Sequence, residues 1–136
     1  MTPYMQPFLQ YLNYRRIPYR QLSPDMVEIV HRGKNLANIP FVVLFDDEGD
    51  NSVQLFCRQI ALFNDNNFTA GVAECNDVNI NYKYVRFYMD DSMNVIANYD
   101  MLIRDNNFVV HITDMLAILA DIIDEVYPNF VHALWG

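Results

Sequence analysis

Between Tyr82 and Met101 the chain alternates residue by residue, and this pattern narrows the folds open to it more than any other stretch. Lys83, Val85, Phe87 and Met89 interleave with Tyr82, Tyr84, Arg86 and Tyr88. After Asp90-Asp91-Ser92 come Met93, Val95, Ala97, Tyr99 and Met101, interleaved with Asn94, Ile96, Asn98 and Asp100. A strand sends successive side chains to opposite faces, so period-two patterning on both sides of a short acidic turn predicts a β-hairpin. A lone hairpin is marginal in water. It needs more strands, or a helix against its apolar face.

The remaining sequence supplies both. From Phe108 to Tyr127, Val109, Ile112, Met115, Leu116, Leu119, Ile122, Ile123 and Val126 recur at helical spacing. Together they make an apolar stripe about 160° wide. His111, Asp114, Asp121 and Glu125 fall on the opposite side, Pro128 interrupts the pattern, and Phe130 to Trp135 follows as a short tail. Upstream, Met26 to Arg32, Ile39 to Phe45 and Val53 to Ile60 predict three strands. Gly33-Lys34-Asn35 and Asp46-Asp47-Glu48-Gly49-Asp50-Asn51 are the turns between them.

Two further helices complete the pattern. The first covers residues 4–14, with Phe8, Leu9, Tyr11 and Leu12 on its apolar side, and Pro18 closes it. The second runs from Phe68 to Asn79 behind Asn64-Asp65-Asn66-Asn67, which suits a turn and an N-cap. Its apolar face is expected at Phe68, Val72, Cys75 and Val78 or Asn79. The order α-β-β-β-α-β-β-α predicts a single two-layer α+β domain over residues 1–136. It consists of an antiparallel five-stranded sheet with helices mainly on one face.

Charge and motif content restrict function. Against 9 Lys plus Arg stand 17 Asp plus Glu, a net charge of −8. Such a surface repels phosphate backbones and anionic lipid, so neither nucleic acid nor membrane is expected as a partner. Only convergence of Arg15, Arg16, Arg20, Arg32 and Lys34 on one face would offset this. The N-terminus lacks the basic and apolar regions of a secretory signal, and no apolar run reaches the roughly 20 residues of a membrane span. A cytoplasmic location is the expectation. Cys57 and Cys75 form no metal-binding spacing with each other or with histidine and read as reduced, buried thiols.

No residue is assigned a catalytic, metal or cofactor role. His31, His111 and His132 share no HxxxH or HxH spacing. The four glycines, Gly33, Gly49, Gly71 and Gly136, make no phosphate-binding loop. The acidic turns at residues 46–50 and 90–91 lack the ligand order of a calcium loop, and aspartate suits a turn in any case. Surplus apolar surface remains. Ile118 lies near the polar side of the last helix, and Tyr82, Tyr84 and Tyr88 line one strand face with Arg86. Aromatics and arginine are frequent interface anchors, so these five residues are the candidate protein-binding positions.

A family resemblance adds to this reading. Val72-Ala73-Glu74-Cys75-Asn76-Asp77-Val78-Asn79 is similar to the helix of the YbjN family that carries two asparagines three apart. Lys83-Tyr84-Val85-Arg86-Phe87-Tyr88-Met89-Asp90 resembles the aromatic strand that follows it, and a long helix closing on Tyr127-Pro128 comes after the return strand. Ile39 to Phe45 with its acidic turn fits the family's central strands. Cys75 stands where the family usually has leucine, and the turn Asp90-Asp91-Ser92-Met93 lacks the glycine common there.

The resemblance implies a fold like that of type III secretion chaperones, often dimeric, in proteins described as sensory-transduction regulators. The expectation is therefore a non-enzymatic domain, chaperone-like or regulatory, that binds another protein and forms a homodimer. The competing expectation is a small enzyme in which His31 or His111 meets a carboxylate in a cleft.

Overall fold

The computed structural model describes residues 2–136. Its sheet is built from β1 (Arg20–Ser23), β2 (Met26–Arg32), β3 (Asn38–Asp46), β4 (Ser52–Cys57), β5 (Arg86–Met89) and β6 (Val95–Leu102). Every neighbouring pair is antiparallel, in the order β1-β2-β3-β4-β6-β5. The helices are α1 (Met5–Tyr14), α2 (Phe68–Asn81) and α3 (Phe108–Trp135). The α+β class and the antiparallel pairing match the sequence reading. The strand count does not, because the sheet has six strands and not five. The additional strand is β1. Arg20, Gln21 and Leu22 are all exposed, so the segment carries no alternation to read. It is extended because it pairs with β2, with a register shift between Gln21 and Ser23.

Alternation along the strands sends Val27, Ile29, Phe41, Val43, Phe45, Val53, Leu55, Phe87 and Val95 into one buried layer. From α3 come Ile112, Leu116, Leu119, Ile123, Val126 and Phe130, and from α1 Met5, Phe8 and Leu12. Each of these large side chains contributes about 1.5–3 kcal/mol on burial, which makes this layer the source of the fold's stability. Of the stripe read from the sequence of α3, Ile112, Leu116, Leu119, Ile123 and Val126 are buried, and Val109, Met115 and Ile122 are half-buried at its margin.

Pro128 does not end that helix, contrary to the sequence expectation. A proline removes one donor and leaves the carbonyl four residues earlier without its helical partner. Here that carbonyl belongs to Asp124, and the Asn35 side-chain amide donates to it at 3.0 Å. The Asp124 carboxylate also accepts from the backbone N–H groups of Asn35 and Leu36, at 2.8 and 2.9 Å. The loop between β2 and β3 thus satisfies the helix where the proline opens it. Those bonds, led by the one from Leu36, hold the Asp124 carboxyl below its ordinary value. Gly33 completes the contact, because a Cβ there would stand 2.3 Å from the Asp124 carboxylate and 2.5 Å from the Leu36 carbonyl oxygen.

The face of α2 also differs from expectation. Gly71, Cys75 and Val78 are buried, whereas Phe68 and Val72 are exposed. Gly71 is the cause: a Cβ there would lie 2.7 Å from Met89 Cε and 3.0 Å from the Phe63 ring. The helix packs by its backbone at this point, which turns Phe68 and Val72 outward. Asn67 occupies the N-cap position without capping through its side chain. Its amide instead donates to the Leu134 carbonyl of α3 at 3.2 Å.

Candidate functional site

Helices cover one face of the sheet and leave the other open. Ladder partners share a face, so the register defines the open one. Arg20, Glu28, Val42, Phe56, Asn98 and Arg86 form a continuous row across all six strands. Beside it runs Met26, Leu44, Gln54 and Asp100, and on the other flank Val30 pairs with Pro40 and Ile96 with Tyr88. Val42 and Ile96 are buried although no helix lies over them, and Val30 and Tyr88 are 45% and 41% exposed. The middle of this face is therefore apolar and partly wet.

Both ends are charged, and both are mixed: Arg104 follows β6 beside the acidic β3–β4 turn, and Asp90 and Asp91 of the β5–β6 turn share the end that holds Arg32 and Arg58. At one end stand Asp25, Asp46, Asp47, Glu48, Asp50 and Asp100, lining two shallow depressions of about 500 and 470 Å³. Asp46 has a structural duty within this group, accepting from the Gly49 N–H at 2.9 Å to form the turn. Toward the other end, Arg32 bonds the Asn38 side chain, and the Arg58 guanidinium lies 5.6 Å from the Phe56 ring centroid. Arg86 sits in the central row, 3.7 Å from Asp100 and 5.8 Å from the Tyr88 ring centroid. Arg20 lies on the β1 edge, 3.2 Å from Glu28.

The five candidate positions do not form one patch. Arg86 and Tyr88 lie on β5 and face the open side. The strand begins only at Arg86, however, and Tyr82 and Tyr84 precede it. Tyr82 closes α2, donating its N–H to the Val78 carbonyl, and is half-buried. Burial first, and then the nearby Glu125 carboxylate, push its phenol up. Tyr84 has φ 74° and is 65% exposed, at the centre of a tight turn in which the Val85 N–H donates to the Lys83 carbonyl. Side-chain alternation survives this turn, so the sequence cannot distinguish it from a longer strand. Ile118 is 42% exposed on α3, in the helical layer on the far side of the sheet from Tyr88.

Asn79, an alternative to Val78 on the expected apolar face of α2, has a polar role instead. Its side-chain oxygen accepts from the Phe87 N–H at 2.7 Å and its amide donates to the Phe87 carbonyl at 2.9 Å. An α2 side chain thus occupies the pairing site on the outer edge of β5 where another strand would add. The pair of asparagines three apart was the available signal for this role.

The histidines are dispersed. His111 is exposed in the first turn of α3. His31 is half-buried on β2, edge-on to the Phe41 ring at 5.5 Å, and its Nδ1 has no hydrogen-bond partner. Burial pulls its pKa down, and the Asp121 carboxylate only partly opposes this. The adjoining cavity, lined by Ile17, Ile29, Thr113 and Leu116 among others, measures about 130 Å³. Small-molecule sites commonly measure about 300–1,000 Å³. Cys57 and Cys75 are buried and unpaired, with burial pushing their thiols up to about 12 and about 11. Among the described residues, no group of three or more His, Cys, Asp or Glu side chains could hold a metal ion. None of the helices there is long and apolar enough to cross a membrane.

The chain is thus a two-layer α+β protein with helices on one face of an antiparallel sheet and the other face open. The sequence model of the YbjN family, described as "Putative bacterial sensory transduction regulator", matches residues 6–132, and the chain belongs to that family. Among solved structures it is similar to the crystal structure of YbjN from E. coli, whose title calls it a "putative transcription regulator". That similarity has a TM-score of 0.63 at 10% sequence identity and covers 90% of each chain, which makes it a likeness of fold. No curated protein matches the sequence.

Proposed function

We propose that this protein is a regulatory domain that acts by binding another protein, and not by catalysis, in the cytoplasm and as a homodimer. The observation that carries this reading is the open sheet face, with an apolar middle bearing Val30, Val42, Phe56, Ile96 and Tyr88 that no helix covers. Apolar side chains on a sheet face without a covering layer are candidate contact positions for a partner. Arg86 and Tyr88 remain the preferred anchors at its β5 side, and Tyr84 stands beside them in the preceding turn. Ile118, in the helical layer, belongs to a separate surface. The family's description as a regulator agrees with this reading, as does the buried, high-pKa state of both thiols, which suits a reducing compartment.

An affinity experiment tests the proposal. The wild type, Tyr88→Asp and Ile118→Asp are each immobilised and exposed to lysate of the source cell, and retained proteins are identified by mass spectrometry. The expectation is a partner retained by the wild type and Ile118→Asp and lost with Tyr88→Asp. Equal retention by all three removes the open face from the proposal. A hydrolase activity abolished by His31→Ala in a folded variant would replace binding with catalysis.

A further inference from the structure

We infer that the protein binds a small, uncharged, single-ring molecule in the cavity between β2, the first half of α3 and the segment joining α1 to β1. This site is separate from the apolar middle of the open sheet face and does not depend on the protein-binding reading.

The cavity has a cause in the sequence. The chain leaves α1 through a left-handed residue, Arg16 at φ 58°, and the Ile17 N–H turns back to donate to the Leu12 carbonyl at 2.9 Å. Pro18 follows and has no N–H to give to a ladder. The strand β1 begins only at Arg20, whose partner on β2 is Glu28. Beyond Glu28, Ile29, Val30 and His31 have no strand on that side. Ile17 and Pro18 stand there instead, and Thr113 and Leu116 of α3 close the space that remains.

The cavity measures about 130 Å³. That is too small for a drug-sized ligand, but an apolar cavity of about 150 Å³ takes up benzene or xenon. Its apolar walls are Ile17, Pro18, Ile29, Val30 and Leu116, and Thr113 and His31 are the polar members. The Thr113 hydroxyl is engaged with its own helix, at 3.0 Å from the Val110 carbonyl and 3.3 Å from that of Val109. Burial holds the His31 pKa below its ordinary value, so the ring is uncharged at neutral pH. The walls therefore offer no charge, and a charged ligand would lose its water without compensation.

Two departures from ordinary packing meet at this place. An unfilled volume forfeits dispersion contacts for the atoms that line it. The adjoining His31 Nδ1 is buried without a hydrogen-bond partner, so its desolvation goes uncompensated. Interiors are ordinarily close-packed and their polar groups satisfied, and folds depart from these rules chiefly where they bind something.

Titration of the full chain with benzene, followed by nuclear magnetic resonance of its methyl groups, tests the inference. Saturable ring-current shifts should concentrate on Ile17, Ile29 and Leu116. Phenol should compete for the same site, and benzoate at equal concentration should leave these methyls unmoved. Ile17→Phe fills the cavity from its half-buried rim, and Thr113→Leu fills it from α3. Each should weaken benzene binding about tenfold or more. Benzene should also raise the thermal midpoint of the wild type more than that of either variant.

The inference is overturned if benzene gives no saturable shifts up to its solubility limit, or if benzoate binds as well as benzene. Shifts centred on Val42 and Ile96 would place the ring on the open face and overturn it too, as would folded variants that bind benzene like the wild type. If neither variant folds, the location of the wild-type shifts decides: at Ile17, Ile29 and Leu116 they support the site, and elsewhere they refute it.

Discussion

Replacing Asn79 should loosen one edge of the sheet. Its side chain makes two bonds to the Phe87 backbone, at 2.7 and 2.9 Å, where β5 has no neighbouring strand. A net hydrogen bond is worth about 0.5–1.5 kcal/mol, so the two together give about 1–3 kcal/mol. Asn79→Ala recovers up to about 0.7 kcal/mol of helix propensity, less near a helix end, and the expected loss is about 1–2 kcal/mol. Urea denaturation followed by far-ultraviolet circular dichroism measures it. Amide hydrogen exchange locates it, since the Phe87 N–H should lose protection selectively. Asn79→Asp adds a distinguishing feature. At neutral pH its carboxylate faces the Phe87 carbonyl and the negative end of α2, so it should be at least as destabilising as alanine. On acidification the protonated carboxyl can donate again, and the deficit relative to wild type should shrink. An alanine variant within about 0.3 kcal/mol of wild type, with Phe87 protection unchanged, would refute the edge-pairing role of Asn79.

Two other substitutions probe the fold. His31 has a folded-state pKa lowered by burial, so the unfolded chain takes up its proton first as pH falls. Its contribution is neutral above its ordinary 6.5, becomes destabilising as pH drops through that value, and levels off below the folded pKa. Urea midpoints between about pH 8 and 5 should therefore fall more steeply for wild type than for His31→Gln, and parallel profiles would contradict this. Arg16 follows α1 with φ 58°, its N–H donating to the Asn13 carbonyl and the Ile17 N–H to that of Leu12. Glycine is the favoured residue at such a helix end, and the exposed Arg16 side chain loses little, so Arg16→Gly should raise stability by about 0.5–1 kcal/mol in thermal unfolding. A lowered midpoint would count against that account.

Much of the architecture was legible because it rests on periodicity. The stripe of α3, the alternation on both sides of the hairpin turn and the Asp90-Asp91-Ser92 turn itself are local patterns, and burial requires them wherever the element is placed. The turn also shows its chemistry, with Asp90 accepting from the Ser92 and Asn94 N–H groups, both at 2.9 Å. Arg86 and Tyr88 were legible as outward-facing for the same reason. Tyr82 and Tyr84 were misplaced because alternation continues through a turn that the ladder does not enter.

What the sequence by itself determined is the set of amphipathic segments and their order, since these follow from which side chains leave water. Tertiary structure decided the rest through contacts between residues distant in the chain. Asn35 satisfies the carbonyl that Pro128 leaves free, so one helix continues where the local rule predicts a stop. Gly71 turns the face of α2 because Phe63 and Met89 press against its backbone. The strand β1 exists through its pairing with β2, and Asn79 gains its role through Phe87. The open face likewise arises only when six strands are set side by side, because Glu28, Val42, Phe56, Asn98 and Arg86 share a row through register and not through sequence position.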